Sequence, residues 1–198
     1  MIGVLALQGD FEAHARVLRR LGAEVAEVRR AADLESLQGL VLPGGESTTL
    51  LNLMEDEPWF PAIRALHGRG GALLGTCAGA ILLAREVSSP AQPSLGLLDA
   101  VIERNAYGRQ ADSFETTLEA PALGGPLSGV FIRAPRFRSL GPGVTVLASL
   151  EEEPVLVQEG RVIAGTFHPE LAEEGRLHRY FVDIAHAARP LRQAAASR

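Results

Sequence analysis

Lysine is missing from this 198-residue chain: all 19 of its basic residues are arginine. Imine chemistry on a lysine amine is therefore excluded here. Cysteine is nearly missing too, with Cys77 the one example. No disulfide can close within the chain, and a zinc site would have to be built from histidine and carboxylate alone. No histidine cluster has metal-ligand spacing, so neither a metal nor a cofactor is expected. The formal charge is −5 and basic residues form no run, which gives no reason to expect nucleic acid as a partner. Long apolar stretches are absent as well. Met1-Ile2-Gly3-Val4-Leu5-Ala6-Leu7 passes into Gln8-Gly9-Asp10 without a basic segment before it, so a cytoplasmic chain with no membrane partner is expected.

What remains is a composition of 46% hydrophobic and 22% charged residues. It fits one globular domain over 1–198, long enough to bury roughly 70% of its unfolded surface. Short apolar runs alternate with helical stretches, which predicts an α/β fold with a mostly parallel sheet. Strands are expected at 2–7, 23–28, 39–42 and 72–76. Asp10 is placed to cap a helix with Phe11, Ala15, Leu18 and Leu21 on one face, closed by Gly22. A further helix is expected over 59–66. Beyond about residue 98 the pattern turns to strands at 113–119, 127–133, 144–149 and 154–166, with Glu159-Gly160-Arg161 as a hairpin turn. A last helix is expected over 173–188, followed by an Ala-rich, Arg-bearing tail. The Pro/Gly-rich pieces at 88–96 and 120–126 read as loops.

Gly75-Thr76-Cys77-Ala78-Gly79 lies between the apolar runs Ala72-Leu73-Leu74 and Ala80-Ile81-Leu82-Leu83-Ala84, where a buried strand turns into a helix. That is the setting of a nucleophile elbow. The turn forces the nucleophile into strained backbone geometry, and its neighbours must lack bulk, which Gly75 and Gly79 supply. A thiol in the first turn of a helix also feels the positive end of the helix dipole. The bland alternative is that Cys77 is a small buried hydrophobe.

His168-Pro169-Glu170 weighs against that alternative. In an extended segment residues two apart face the same side, and proline holds the residue before it out of helical geometry. His168 can then serve as acid and base, with Glu170 orienting it and stabilising the imidazolium. His14, His67, His178 and His186 lie in helical stretches and read as surface or helix-packing residues. Pro43-Gly44-Gly45-Glu46-Ser47-Thr48-Thr49 is either a turn leading into a capped helix or a loop whose amides complete an oxyanion hole opposite Ala78.

These three motifs, in this order and over essentially the whole chain, resemble the triad-type (class I) glutamine amidotransferases. The usual Gly-x-Cys-x-Gly-x-Gln has Ile81 in place of the glutamine. That departure, with Leu5-Ala6-Leu7-Gln8-Gly9, Arg104-Asn105-Ala106-Tyr107-Gly108-Arg109-Gln110 and Phe131-Ile132-Arg133-Ala134-Pro135, resembles the branch that forms the glutaminase subunits of pyridoxal 5'-phosphate synthase. The resemblance implies a flavodoxin-like three-layer fold and hydrolysis of L-glutamine to L-glutamate and ammonia. It implies Cys77 as nucleophile, His168 as acid and base, Glu170 as orienting carboxylate, and the amides of Gly45 and Ala78 as oxyanion donors. Glutamine would be held by Gly45, Glu46, Ser47, Arg104, Ile132 and Arg133, the two arginines suiting its α-carboxylate and Glu46 its α-ammonium. For the arginines, a solvated surface or a structural ion pair is the alternative. Gln8 would lie near the oxyanion loop or a partner interface.

The implied partner is a barrel-shaped synthase subunit, which would carry the imine chemistry that a lysine-free chain cannot. Little activity is then expected of this chain alone. A cysteine peptidase, a stress protein or a non-catalytic relative of similar fold is the alternative in a different class. Another pathway's amidotransferase glutaminase is the nearer one, and Ile81 argues against it.

Overall fold

Buried parallel strands need apolar side chains on both faces, and the short runs in the first half of the chain supply them. A computed structural model of the chain describes residues 1–104, 106, 113–172 and 175–187. The first half holds β1 (Ile2–Leu5), α1 (Phe11–Arg20), β2 (Val25–Val28), β3 (Gly39–Leu42), α2 (Ser47–Leu53), α3 (Trp59–Gly68), β4 (Ala72–Thr76) and α4 (Ala78–Leu83). Then come β5 (Ala84–Ser88), β6 (Leu98–Glu103), β7 (Phe114–Leu118), β8 (Leu127–Phe131), β9 (Arg136–Leu140), β10 (Thr145–Leu150), β11 (Glu153–Glu159), β12 (Val162–Gly165) and α5 (Arg176–His186).

Seven strands form the central sheet in the order β10-β11-β12-β4-β3-β1-β2. From β12 to β2 every pairing is parallel, and β11 joins β12 and β10 antiparallel. Successive side chains point to opposite faces of the sheet, and the packing follows that alternation. Leu40, Leu42 and Leu73 pack with Ile63 and Leu66 of α3 and Ala80 and Leu83 of α4. Val41, Ala72 and Leu74 pack with Ala15 and Leu18 of α1 and Phe181 and Val182 of α5 on the other side. The expected three-layer α/β fold is thus present. Among the described residues no helix is long and apolar enough to cross a membrane.

Several boundaries differ from expectation. The strands at 39–42 and 72–76 are as expected, while those expected at 2–7 and 23–28 shorten to β1 and β2. The stretch at 154–166 divides into β11 and β12 around the turn at Gly160, whose φ is 56°. Strands β5, β6 and β9 were not expected. β5 follows the apolar run of α4 without a break, and β9 carries the polar Arg136, Arg138 and Ser139, so neither shows a strand-like alternation. Asp10 precedes α1 as foreseen, yet its side chain makes no capping hydrogen bond. Gly22 does close α1, with φ of 81° and its amide donating to Arg19 O. Of the sequence readings, Asn105 and 107–110 of the arginine motif, 173–174 and 188 of the last helix, and the tail 189–198 lie outside the described residues.

Neighbouring strands β1, β3, β4 and β12 deliver their C-terminal ends to one edge of the sheet, which is where open α/β sheets bind ligands. Gln8 and Asp10 follow β1, Gly44 to Ser47 follow β3, Cys77 follows β4, and His168 follows β12. The register pairs Gly165 with Thr76 and Leu42 with Gly75. Three segments far apart in sequence are thereby brought level.

Candidate active site

Cys77 is forced into its position by what surrounds it. Its φ of 48° and ψ of −104° are strained for any residue with a side chain, a conformation that costs on the order of 1–3 kcal/mol and persists only where the surroundings over-determine it. They do: the Cys77 amide donates to Gly165 O of β12 at 2.9 Å, and its carbonyl accepts from Ile81 in the first turn of α4. A Cβ at Gly79 would clash with Leu42 O, and one at Gly75 would come within 2.6 Å of the Gly79 backbone. The elbow closes only because both positions are glycine.

His168 is fixed from the other side, its amide donating to Val130 O of β8 at 2.8 Å. The extended His168-Pro169-Glu170 expected from sequence is not what forms. Pro169 opens a 3₁₀ turn over Pro169–Leu171, a conformation suited to its fixed φ and missing amide hydrogen. The turn swings Glu170 back, and His168 Nδ1 meets Glu170 Oε1 at 2.8 Å with both side chains buried. The two partners are those expected, and the backbone that joins them is not.

Burial alone would lower the His168 pKa, but the hydrogen bonds the ring donates to Cys77 and Glu170, with the charges on both, raise it to about 10. The ring is an imidazolium at neutral pH, held between sulfur and carboxylate. One ligand atom each of Asp10, His168 and Glu170 lies within 4.8 Å of the others. Since His168 and Glu170 are already committed to each other, this trio suits proton handling better than a metal cage.

In front of Cys77 opens a cavity of about 230 Å³. The expected glutamine-binding residues Gly45, Glu46, Ser47, Arg104, Ile132 and Arg133 all line it, together with Cys77 and His168. Asp10, Ile81 and Pro135 complete the wall. None of those three was assigned a binding role from sequence, though Ile81 and Pro135 fall inside quoted motifs. Arg133 stands at a turn with φ of 44° and is exposed at the mouth. Arg104 donates to Glu46 Oε1 at 3.2 Å and to Thr48 Oγ1 at 3.0 Å. The ion-pair alternative for Arg104 is thus real, and it sits in the cavity wall.

Glu46 caps α2, accepting from the amides of Thr48 at 3.1 Å and Thr49 at 2.6 Å. Burial would raise its pKa, but those amides, Thr49 first, outweigh burial and lower it. The capping residue is therefore Glu46 rather than a serine or threonine of the motif. Ser47 Oγ donates to Gln92 Oε1 at 2.9 Å, tying the loop after β5 to the start of α2.

Three expected site residues stand behind the cavity wall rather than in it. Ala78 is fully buried at the first position of α4, where helix amides lack partners within the helix. Glu170 lies beneath His168. Gln8 Oε1 accepts from the Glu46 amide at 3.3 Å and occupies the space a Gly45 side chain would need, so it braces the Gly44–Gly45 loop. Gly44 itself faces Cys77 and His168, because a Cβ there would clash with His168 Cε1 and lie 3.3 Å from Cys77 Cβ.

Two residues were read only as surface or packing histidines. His14 and His178 are completely buried; His14 contacts Glu170, and His178 contacts His14 behind it. A signal for them existed. His14 shares the buried face of α1 with Leu18, and His178 falls in register with Phe181, Val182 and Ala185 of α5. An ionisable group on an apolar stripe needs a partner.

Comparison with known proteins gives this geometry a family. Residues 4–186 match the model of the SNO glutamine amidotransferase family. A pyridoxal 5'-phosphate synthase subunit PdxT from Thermus thermophilus is 57% identical over 187 residues, covering 93% of this chain and 97% of the relative. One from Deinococcus radiodurans is 53% identical over 189 residues, with 93% and 96% covered. A crystal structure of a glutamine amidotransferase superposes with a TM-score of 0.88 at 55% identity, covering 93% of this chain and 98% of the other. The glutaminase domain of a CTPS from Trypanosoma brucei, at 10% identity and a TM-score of 0.62 with 93% of each chain covered, shares the fold. An elbow cysteine, a carboxylate-bound histidine and an arginine-lined cavity are thus found on a chain whose sequence matches from β1 to α5, and the chain belongs to the SNO glutamine amidotransferase family.

Proposed function

We propose that this chain hydrolyses L-glutamine to L-glutamate and ammonia through Cys77, His168 and Glu170, and delivers the ammonia to a pyridoxal 5'-phosphate synthase subunit. The observation that carries this reading is the strained Cys77 beside a Glu170-bound imidazolium, at the floor of a cavity walled by Glu46, Arg104 and Arg133. The synthase partner is drawn from the names of relatives 57% and 53% identical over nearly their full length.

Glutamine would enter with its α-carboxylate toward Arg104 and Arg133 and its α-ammonium toward Glu46. Cys77 Sγ attacks the side-chain amide carbon, and the amides of Gly45 and Ala78 receive the oxyanion. His168 gives its proton to the departing nitrogen, so that ammonia leaves and a glutamyl thioester remains on Cys77. Water then attacks the thioester, His168 takes its proton, and glutamate is released. Glu170 holds the ring in one tautomer through both halves. The synthase is expected to be a barrel-shaped protein, the two forming a cytoplasmic hetero-oligomer in which 1–198 acts as a single glutaminase domain without metal or cofactor.

The test is a mixture of the chain with its synthase subunit, pentose and triose phosphates, and glutamine labelled at the amide nitrogen. Label entering pyridoxal 5'-phosphate with wild type but not with Cys77→Ala is the expected result. Ammonia release that is independent of Cys77 would overturn the triad. Cys77-dependent ammonia that never reaches the product would overturn the pathway alone.

A further inference from the structure

Glu170 has two carboxylate oxygens, and the triad uses one. Oε1 serves His168, while Oε2 lies 3.2 Å from His14 Nε2 at a site with no solvent exposure. The same His14 nitrogen is 3.2 Å from Thr76 Oγ1, and His14 Nδ1 is 2.9 Å from His178 Nε2. Thr76 immediately precedes the nucleophile, so one ring from α1 touches the elbow, the acid and α5 at once.

The tautomers follow from donor chemistry. A carboxylate only accepts, and a lone pair on His14 facing it across 3.2 Å would be repelled, so Nε2 carries the hydrogen. That hydrogen is directed at Thr76 Oγ1, and Glu170 Oε2, 3.2 Å from the same nitrogen and without a hydrogen bond of its own, feels the positive end of the N–H dipole. Nδ1 is then the acceptor, and His178 Nε2 donates to it. Both rings are neutral. Burial, then the charges of His178 and His168, lower the His14 pKa well below its ordinary value, and burial, then the charge of Arg20, lowers that of His178 to about 4.

We propose that His14 is a positioning residue for the catalytic carboxylate: its Nε2–H, oriented by His178 and bonded to Thr76, sets its positive end beside Glu170 Oε2, keeps Glu170 turned toward His168 and supports its negative charge. The inference rests on the triad reading above. It makes α1 and α5, which contribute nothing to the cavity wall, part of the catalytic apparatus. A buried carboxylate is costly to keep charged, and the more so without a positive dipole beside it. Losing the His14 N–H dipole therefore weakens the charge that keeps His168 protonated. Cys77, Asp10 and Glu170 face that imidazolium, and Arg20 faces His178 from the far end, so the expected change is read against variants that leave all four in place.

The experiment measures glutamine-dependent ammonia release against pH in the complex with the synthase, for His14→Gln, His14→Asn and His14→Phe. Glutamine's amide reaches as far as Nε2, whereas asparagine's reaches only as far as Nδ1. His14→Gln is expected to keep the wild-type profile. His14→Asn and His14→Phe are expected to move the alkaline limb of kcat down by about one pH unit and lower kcat about tenfold, with KM little changed. The same limb is read independently from the pH dependence of Cys77 alkylation. Equal profiles for all folded variants would overturn the positioning role, as would failure of His14→Gln to exceed His14→Asn. If His14→Phe does not fold, the comparison of the two amides decides. Cys77→Ala in parallel separates the two failures: ammonia release surviving it would sink the triad, whereas its loss with unchanged His14 profiles would sink only the role of His14.

Discussion

At Gly44 a single hydrogen atom leaves room for the His168 ring beside Cys77. A methyl group there would press on His168 Cε1 and touch Cys77 Cβ, moving the imidazole off the sulfur while leaving the sheet intact. Displacements on the order of 1 Å at a reacting pair can cost about 100-fold in rate. Gly44→Ala is therefore expected to lower kcat by about that factor with an unchanged melting temperature, measured as ammonia release beside a thermal melt. A wild-type rate would mean that the His168 ring has room the structure does not show. Cys77, His168 and Glu170 stand out in the sequence through local motifs, and the structure brings His168 and Glu170 together, though through a 3₁₀ turn rather than the extended segment expected. The support behind them was less legible. The role of His14 depends on Glu170, 156 positions away, and no local pattern couples the two.

Among the elements, α2 brings its own cap into the cavity wall. Glu46 caps it and also pairs with Arg104, so one carboxylate secures both the helix and a cavity wall. Glu46→Ala is expected to lower stability by about 1 kcal/mol through the lost cap. It is also expected to raise KM for glutamine about tenfold as Arg104 loses its anchor and the substrate ammonium its partner. Urea unfolding and steady-state kinetics check the two effects separately, and a stability loss with unchanged KM would remove Glu46 from the binding site. Periodicity found the strands whose apolar runs are bounded by glycine or proline, such as β3 and β4. It missed β5, β6 and β9, which belong to the three-stranded sheet beside the main one; in β5 the apolar run of α4 gives way to Arg85 and Glu86, and β9 is largely polar. Those strands owe their form to one another, a tertiary cause that local sequence does not display.

Over the whole molecule the buried histidines set opposing responses to pH. His178, lowered from 6.5 to about 4, and His14, also lowered well below 6.5, are neutral in the fold but bind protons in the unfolded chain. Their contribution is present above pH 6.5 and is lost as pH falls toward about 4, roughly 3 kcal/mol for His178 alone. His168 has the opposite sign: raised to about 10, it stabilises fully below pH 6.5 and its contribution is lost as pH rises through 10. Urea midpoints are therefore expected to peak near pH 6.5 and to fall on both sides, with His178→Phe flattening the acid side. A midpoint that does not fall below pH 6 would contradict the buried neutral pair. The three-layer fold was legible from the alternation of short apolar runs and helices. The C-terminal strand ends that gather the site follow from that topology, but their register does not.

A glutamyl thioester on Cys77 is the species on which the proposed chemistry depends. The complex with the synthase is mixed with glutamine, quenched in acid within its first turnovers, digested and weighed by mass spectrometry. The prediction is one glutamyl group on the peptide that carries Cys77, absent from Cys77→Ala and strongly reduced in His168→Ala, which cannot protonate the departing nitrogen. Ammonia released at the wild-type rate with no adduct on that peptide in any variant would contradict it.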